Sequence, residues 1–247
     1  MTRPNLEPAG SEYGPEQMNV PKWEDLPADI RTDAVRPYYD ALACRPHQLR
    51  LKRLLDLVGA GALALALGWL FIVLAVVIKL DSPGPVFFRQ RRVTRFGQEF
   101  QILKFRTMSH GPCGTGALIS AGDDPRVTRA GQFMRRYRLD EIPQFINVLR
   151  GTMTFVGTRP EVPEYVRRYS PEMRATLLLP AGVTSTASIR FKNEAQMLVA
   201  VPDIDSIYIH KILPVKMRFN LEDIREFSIR RDLRIVLNTI RAVLGIG

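Results

Sequence analysis

Cysteine is almost absent from this 247-residue chain: Cys44 and Cys113 are the only two, too few for a disulfide scaffold and in keeping with a reducing compartment. Histidine is nearly as scarce. With only His47, His110 and His210, and no Cys/His cluster at zinc spacing, a histidine-based metal site has little to draw on. No Gly-rich Walker loop, dinucleotide fingerprint or internal repeat occurs. Acidic residues are the minority charge, 25 against 35 Lys and Arg, which leaves a formal net charge of +10. That excess points to an anionic partner: nucleic acid, a membrane surface or a phosphorylated substrate. Nucleic acid finds no support, because helix-turn-helix, RNP-like strand and aromatic-basic ladder are all missing. What is present is a chain 46% hydrophobic, enough to bury the core of one large domain or two small ones.

Residues 1–50 carry seven prolines, from Pro4 to Pro46, and no sustained apolar periodicity. They read as a loosely structured Pro-rich arm with a short helix around Ala34–Ala43. The arm does not read as a signal peptide, since no basic start runs at once into an apolar core. Leu57 to Ile78 then gives 22 consecutive uncharged residues, roughly 33 Å as a helix and enough to cross a hydrocarbon core. Both flanks are basic: Arg45, Arg50, Lys52 and Arg53 before it, Lys79, Arg89, Arg91, Arg92 and Arg95 after it. A spanning helix keeps its basic excess on one side, so the balance favours a helix that enters lipid and returns, with Gly59, Gly61 and Gly68 as weak points for a bend. The domains expected are thus an arm over 1–50, a membrane-inserted helix over 51–80 and a further domain over 81–247.

Past the turn at Asp81–Pro85, Val86–Gln90 and Phe100–Arg106 predict antiparallel strands around an Arg95–Gln98 loop. Residues 109–125 read as a Gly-rich loop, and helices are expected near 127–138, 143–150, 160–178 and 205–219. A last helix from Ile229 puts Leu233, Val236, Leu237, Ile240, Val243 and Leu244 on one side, with Arg230, Arg231, Arg234 and Arg241 available to the other. Such a helix suits either an anionic membrane surface or the domain core. The fold class is α+β and mostly helical: a membrane-inserted helix, a small β-hairpin and a helical domain.

The sharpest chemical signal is Arg135-Arg136-Tyr137-Arg138-Leu139-Asp140-Glu141-Ile142-Pro143-Gln144. Pro143 suits a first helical turn, which places Asp140 and Glu141 at a helix entrance where free N–H groups favour carboxylates and phosphates. Adjacent carboxylates point different ways and suit two roles, one attacking or receiving a proton, the other holding a cation. On spacing alone a capped, salt-bridged helix start is the better reading. Gly157-Thr158-Arg159-Pro160-Glu161 can present amides and a guanidinium to an anion, or be an ordinary turn. Lys104 and Arg106 fall on one side of their strand with Phe105 on the other, compatible with phosphate binding or a solvated face. Pro180–Ser185, with Ser188, Arg190 and Lys192, reads as a polar loop able to touch a ligand.

In order, Lys52-Arg53-Leu54-Leu55-Asp56, Gly84–Gln90, Lys104–Met108, Leu139–Gln144, Asn147–Gly151 and Gly157–Pro160 strongly resemble the bacterial sugar transferase family, the monotopic polyprenyl-phosphate phosphoglycosyl transferases, over about residues 50–247. The resemblance implies an enzyme at the cytoplasmic face of the bacterial inner membrane, opening exopolysaccharide or glycoconjugate assembly. Its donor is a UDP-sugar, its acceptor a polyprenyl phosphate such as undecaprenyl phosphate, and its released product UMP. It further implies Asp140 as nucleophile, forming a covalent phosphosugar that the acceptor resolves, and Glu141 as the Mg²⁺ ligand. Lys104, Arg106, Arg135 and Arg159 are implied around the phosphates or nucleotide, with Pro160, Arg190 and Lys192 in the binding set. Partners implied are the donor, the acceptor and the lipid bilayer, with no nucleic acid; a homodimer is left open. The sequence departs from the family at Gly68-Trp69, where a Ser-Pro step commonly breaks the membrane helix, at Thr152 in place of an acidic residue, and at Thr158 within an otherwise Gly-Pro-Arg-Pro motif. The rival readings are a metal-dependent glycosyl transferase that releases UDP and a non-catalytic basic membrane scaffold.

Overall fold

The structure, a computed structural model, describes residues 18–109, 126–192 and 204–245. Its frame is α2, Pro46–Asp81, a 36-residue helix that follows the short α1, Arg36–Ala43. One stripe of α2 faces protein and the rest does not. At its start, buried Lys52 donates to Asp232 Oδ2 (2.5 Å) and to the carbonyl of Val156 (2.7 Å), and Arg53 donates to the carbonyls of Val148 and Leu149. Asp56 accepts from Thr154 Oγ1 (2.7 Å) and Phe155 N (3.0 Å). Towards its end, Leu74 and Ile78 are buried with Phe105 and Met134, and Phe71 lies against Phe87, Phe105 and Phe145. Leu65, Trp69, Ile72, Val76 and Leu80 are exposed. The most apolar 18-residue window has a mean hydropathy of 2.7 yet is only 11% buried, so its hydrophobicity is not accounted for by protein packing. No residue in α2 departs from helical dihedrals, Gly68 and Trp69 included.

Strands β1, Phe87–Val93, and β2, Glu99–Phe105, pair antiparallel from Phe87↔Phe105 to Val93↔Glu99. Next come α3, Arg129–Arg136, capped by Thr128; a 3₁₀ turn, Leu139–Glu141; and α4, Gln144–Leu149. Strand β3, Met153–Val156, pairs in parallel with β4, Ala181–Thr184, and between them lie α5, Pro163–Val166, and a 3₁₀ helix, Glu172–Leu178. The chain continues through α6, Thr186–Arg190, to α7, Ile204–Ile207, a π turn, Tyr208–Ile212, and α8, Leu213–Arg225. It closes with α9, Ile229–Leu244, capped by Ser228.

Several expectations are corrected. The single helix over 160–178 is two short pieces, because Pro171 drives the residue before it out of the α region. The helix over 205–219 contains a π turn and runs on to Arg225; Pro214 has no N–H to return to the preceding turn. Ala181–Thr184, expected as loop, is a strand. Gly182 is required there, since a Cβ on it would lie 2.1 Å from the carbonyl oxygen of Gly157. The loose arm is corrected for residues 18–50: Leu26, Ile30, Val35, Tyr38, Tyr39, Leu42 and Leu49 are buried in the largest core cluster with Val162, Tyr165, Leu178 and Met217. The Gly-rich loop lies outside the described residues from 110 onward, as do residues 1–17 of the arm. Finally, α9 buries only Ile235 and joins the body through Asp232 and a Thr239–Thr184 hydrogen bond of 2.8 Å. Leu233, Leu237, Ile240, Val243 and Leu244 are exposed.

Candidate active site

The dyad sits where α3 gives way to α4. Arg138 takes a left-handed φ of 57°, a conformation that costs on the order of 1–3 kcal/mol for a non-glycine residue and recurs at functional sites. It swings the chain into the 3₁₀ turn that carries Asp140 and Glu141. Leu139 and Ile142 on either side pack into the cluster of Phe105, Met134, Leu74 and Ile78, which ties the dyad to α2.

The two carboxylates differ sharply. Glu141 Oε1 accepts from Lys104 Nζ at 2.9 Å and from Arg159 Nη2 at 2.5 Å; Arg159 Nη1 reaches Oε2 at 3.4 Å, and Arg138 Nη1 lies 3.9 Å away. Burial would push the Glu141 carboxyl up, but Arg159 and Lys104 override it and hold it well below the usual carboxylate range. In return, Glu141 stabilises the Arg159 guanidinium as a cation. Asp140 is only 8% exposed, and among the described residues nothing donates a hydrogen bond to its carboxylate. Burial and the neighbouring Glu141 charge raise its pKa, against the pull of Lys104, Arg159 and Arg135. One carboxylate is therefore fixed as an anion, and the other is buried and accepts no hydrogen bond from the described residues.

Among the residues predicted for the site, the structure gathers Lys104, Arg135 and Arg159 around Asp140 and Glu141. Arg135 is braced by a 2.9 Å bond from its Nε to Thr107 Oγ1. Pro160, next to Arg159 in sequence, is buried, its carbonyl accepting from Arg92 Nη1 at 3.1 Å. Arg106 has a different place: its Nη2 donates to the carbonyls of Ile78 and Ser82 and to Ser82 Oγ, clamping the end of α2. Strand β2 ends at Phe105, so the alternation that put Lys104 and Arg106 on one face lapses at Arg106. Arg190 lies over the Phe219 ring at 4.6 Å, and Lys192 offers only its carbonyl to Arg138. Thr152 is a structural turn residue, accepting from Thr94 Oγ1 and donating to the Asn147 carbonyl. Sequence reading missed the group formed by half-buried Arg92 with buried Glu161, Tyr208 and Lys216. Only Glu161 lay in a motif already singled out, and the other three are scattered over more than 120 positions of chain.

Among the described residues no three His, Cys, Asp or Glu side chains cluster as a metal site. Mg²⁺ does not require one: one or two carboxylates plus substrate phosphate oxygens suffice. The hard oxygen donors of Glu141 and Asp140, with Lys104 and Arg159 beside them to take phosphate charge, fit that pattern.

Known proteins resemble this chain over the region that holds the site. The bacterial sugar transferase family model matches residues 47–245. A UDP-glucose:undecaprenyl-phosphate glucose-1-phosphate transferase of Caulobacter vibrioides is 36% identical over 196 residues, 78% of this chain and 69% of the relative. The protein of the same name in Escherichia coli is 35% identical, over 83% of this chain and 42% of the relative. An Aeromonas hydrophila UDP-N-acetylgalactosamine-undecaprenyl-phosphate N-acetylgalactosaminephosphotransferase is 35% identical, over 80% of this chain and 44% of its own length. The chain thus spans less than half of the two longer relatives. With the family model covering the membrane-apt helix, the dyad and the Arg159 turn together, the chain belongs to the bacterial sugar transferase family.

Proposed function

We propose that this protein transfers a sugar 1-phosphate from a UDP-sugar to a polyprenyl phosphate, such as undecaprenyl phosphate, and releases UMP. The observation that carries the reading is the asymmetry of the dyad: Glu141 is held as an anion by Lys104 and Arg159, while the carboxylate of buried Asp140 accepts no hydrogen bond from the described residues. A carboxylate that is not tied up by protein donors has lone pairs available for attack. Asp140 Oδ attacks the sugar-bearing phosphorus; the bond from that phosphorus to the bridging oxygen breaks, and UMP leaves with the electron pair. An oxygen of the polyprenyl phosphate then attacks the same phosphorus and displaces the Asp140 carboxylate, giving the polyprenyl diphosphosugar. Lys104, Arg135 and Arg159 offset the charge gathered when a carboxylate meets a diphosphate. Glu141, together with diphosphate oxygens of the donor, would hold Mg²⁺, which would supply further charge neutralisation.

A lipid acceptor explains the rest of the molecule. The body grips α2 near Lys52–Asp56 and again near Ile78–Ser82. A helix crossing the bilayer would separate those two charged contact sets by about 33 Å of hydrocarbon. The reading is therefore monotopic: both ends of α2 stay at the cytoplasmic face of the bacterial inner membrane, and the bare apolar faces of α2 and α9 meet lipid. Cysteines placed singly at Arg50 and Arg89 should react with a membrane-impermeant thiol reagent from the same, cytoplasmic side. Labelling from opposite sides would establish a crossing helix.

The function itself is tested by nucleotide release. Membranes containing the protein, given Mg²⁺, undecaprenyl phosphate and a panel of UDP-sugars, should release UMP with a matching donor. Release of UDP instead would assign sugar transfer without the phosphate and overturn the proposal.

A further inference from the structure

Immediately after Arg159 and Pro160, the chain buries a carboxylate outside the dyad. Glu161 is 6% exposed. Its Oε1 accepts a 2.5 Å hydrogen bond from Tyr208 Oη and lies 3.6 Å from Lys216 Nζ, while Oε2 lies 3.9 Å from Arg92 Nη1. Lys216 Nζ donates to Tyr208 Oη at 2.8 Å. The backbone is fixed at the same place: Arg92 donates to the Pro160 carbonyl at 3.1 Å, and Val93 N donates to the Glu161 carbonyl at 2.9 Å. Tyr208 opens the π turn and Lys216 stands in the first turn of α8, so a helix pair far along the chain reaches back to the residue beside Arg159.

Such a cluster needs a reason. Buried ion pairs recover little more than their own desolvation cost, and replacing them with apolar residues is often neutral or stabilising. A buried lysine, carboxylate and phenol, with half-buried Arg92 against them, are therefore weak ground for stability. No step of the transfer reaction uses them. Their place gives the reason: the peptide they immobilise is the one from which Arg159 reaches Glu141 with two hydrogen bonds. In an active site a displacement of about 1 Å can cost on the order of 10²-fold in rate.

We infer that Glu161, Tyr208 and Lys216 form a positioning device for Arg159, so that Tyr208 and Lys216, which touch neither dyad carboxylate, tune the transfer step through that arginine. The inference rests on the reading of Arg159 as a group that handles the donor diphosphate. If it holds, Tyr208 matters to the reaction only while Arg159 is there to be positioned.

A double-mutant cycle tests this. Tyr208→Phe removes one oxygen and keeps the ring; it is made with native Arg159 and with Arg159→Lys, and single-turnover UMP release and Tm are measured for each protein. With native Arg159, Tyr208→Phe should slow UMP release about tenfold; with Arg159→Lys the same change should cost less than about twofold, a non-additivity of the size found within one interaction network. The fall in Tm should be the same in both backgrounds. Equal slowing of UMP release in both backgrounds would show a merely structural tyrosine and overturn the inference. Should Tyr208→Phe fail to fold, Lys216→Met, which keeps the aliphatic stem, enters the same cycle under the same criterion. A native protein that released no UMP would contradict the transfer reading instead. The cycle would then be read on UDP-sugar affinity, where additivity again overturns the positioning role and non-additivity supports it.

Discussion

Asp140→Asn should lose donor turnover by on the order of 10⁴-fold or more, the scale on which removing a covalent nucleophile acts. Asparagine keeps the size of the side chain and the 3₁₀ turn, so the loss is not expected to come from misfolding. Stability should move the other way. Burial and the Glu141 charge raise the Asp140 pKa, which means the ionised carboxylate is harder to hold in the fold than in the unfolded chain. That cost is present at pH values above its folded-state pKa and is relieved as pH falls through it. A neutral amide removes the cost, so without Mg²⁺ at neutral pH the variant should melt at the same temperature as the native protein or higher. Near-native turnover would sink the nucleophile assignment, and a large fall in Tm would show that Asp140 is structural.

Arg159→Ala should reduce turnover by about 10²–10³-fold, the usual effect of deleting one preorganised charge from a transition-state site. Here the deletion acts twice. It removes a cation from the proposed diphosphate site and leaves the largely buried Glu141 carboxylate with Lys104 as its remaining hydrogen-bond donor among the described residues. Loss of the stronger partner should also weaken the fold, since a buried charge is left less well compensated. Arg159→Lys should restore the charge without the two-pronged grip, giving an intermediate rate. Measuring kcat for both variants checks the order native, Lys, Ala. Equal rates for Lys and native would show that geometry at Arg159 does not matter, against the pairing seen with Glu141.

The elements that decide the chemistry were legible because they obey local rules. The Phe100–Arg106 alternation located β2 within a residue at each end, and Pro143 placed the dyad at a helix entrance. Elements governed by distant contacts were not. Leu26, Ile30, Val35 and Leu42 are separated by prolines and polar residues, and only burial against Val162, Leu178 and Met217 turns residues 18–50 into core. Val162, Tyr165, Val166 and Tyr169 mimic one face of a long helix, yet Pro171 divides the segment. Strand β4 is four residues of Ala-Gly-Val-Thr with no signature of its own; its partner β3 and the close approach to Gly157 create it. At the site, Lys104, Arg135 and Arg159 each lie in a motif of their own, whereas Arg106 is held by Ile78 and Ser82 at the end of α2, which alternation along its own strand does not report. The Arg92, Glu161, Tyr208 and Lys216 cluster exists only in three dimensions.

The central claim is a covalent phosphosugar on Asp140, and donor without acceptor tests it most directly. Purified protein given Mg²⁺ and its UDP-sugar, but no polyprenyl phosphate, should release UMP in one burst matching the enzyme present, and the peptide bearing Asp140 should gain the mass of a phosphosugar. UMP that forms only when acceptor is added, with Asp140 unmodified throughout, would contradict the account.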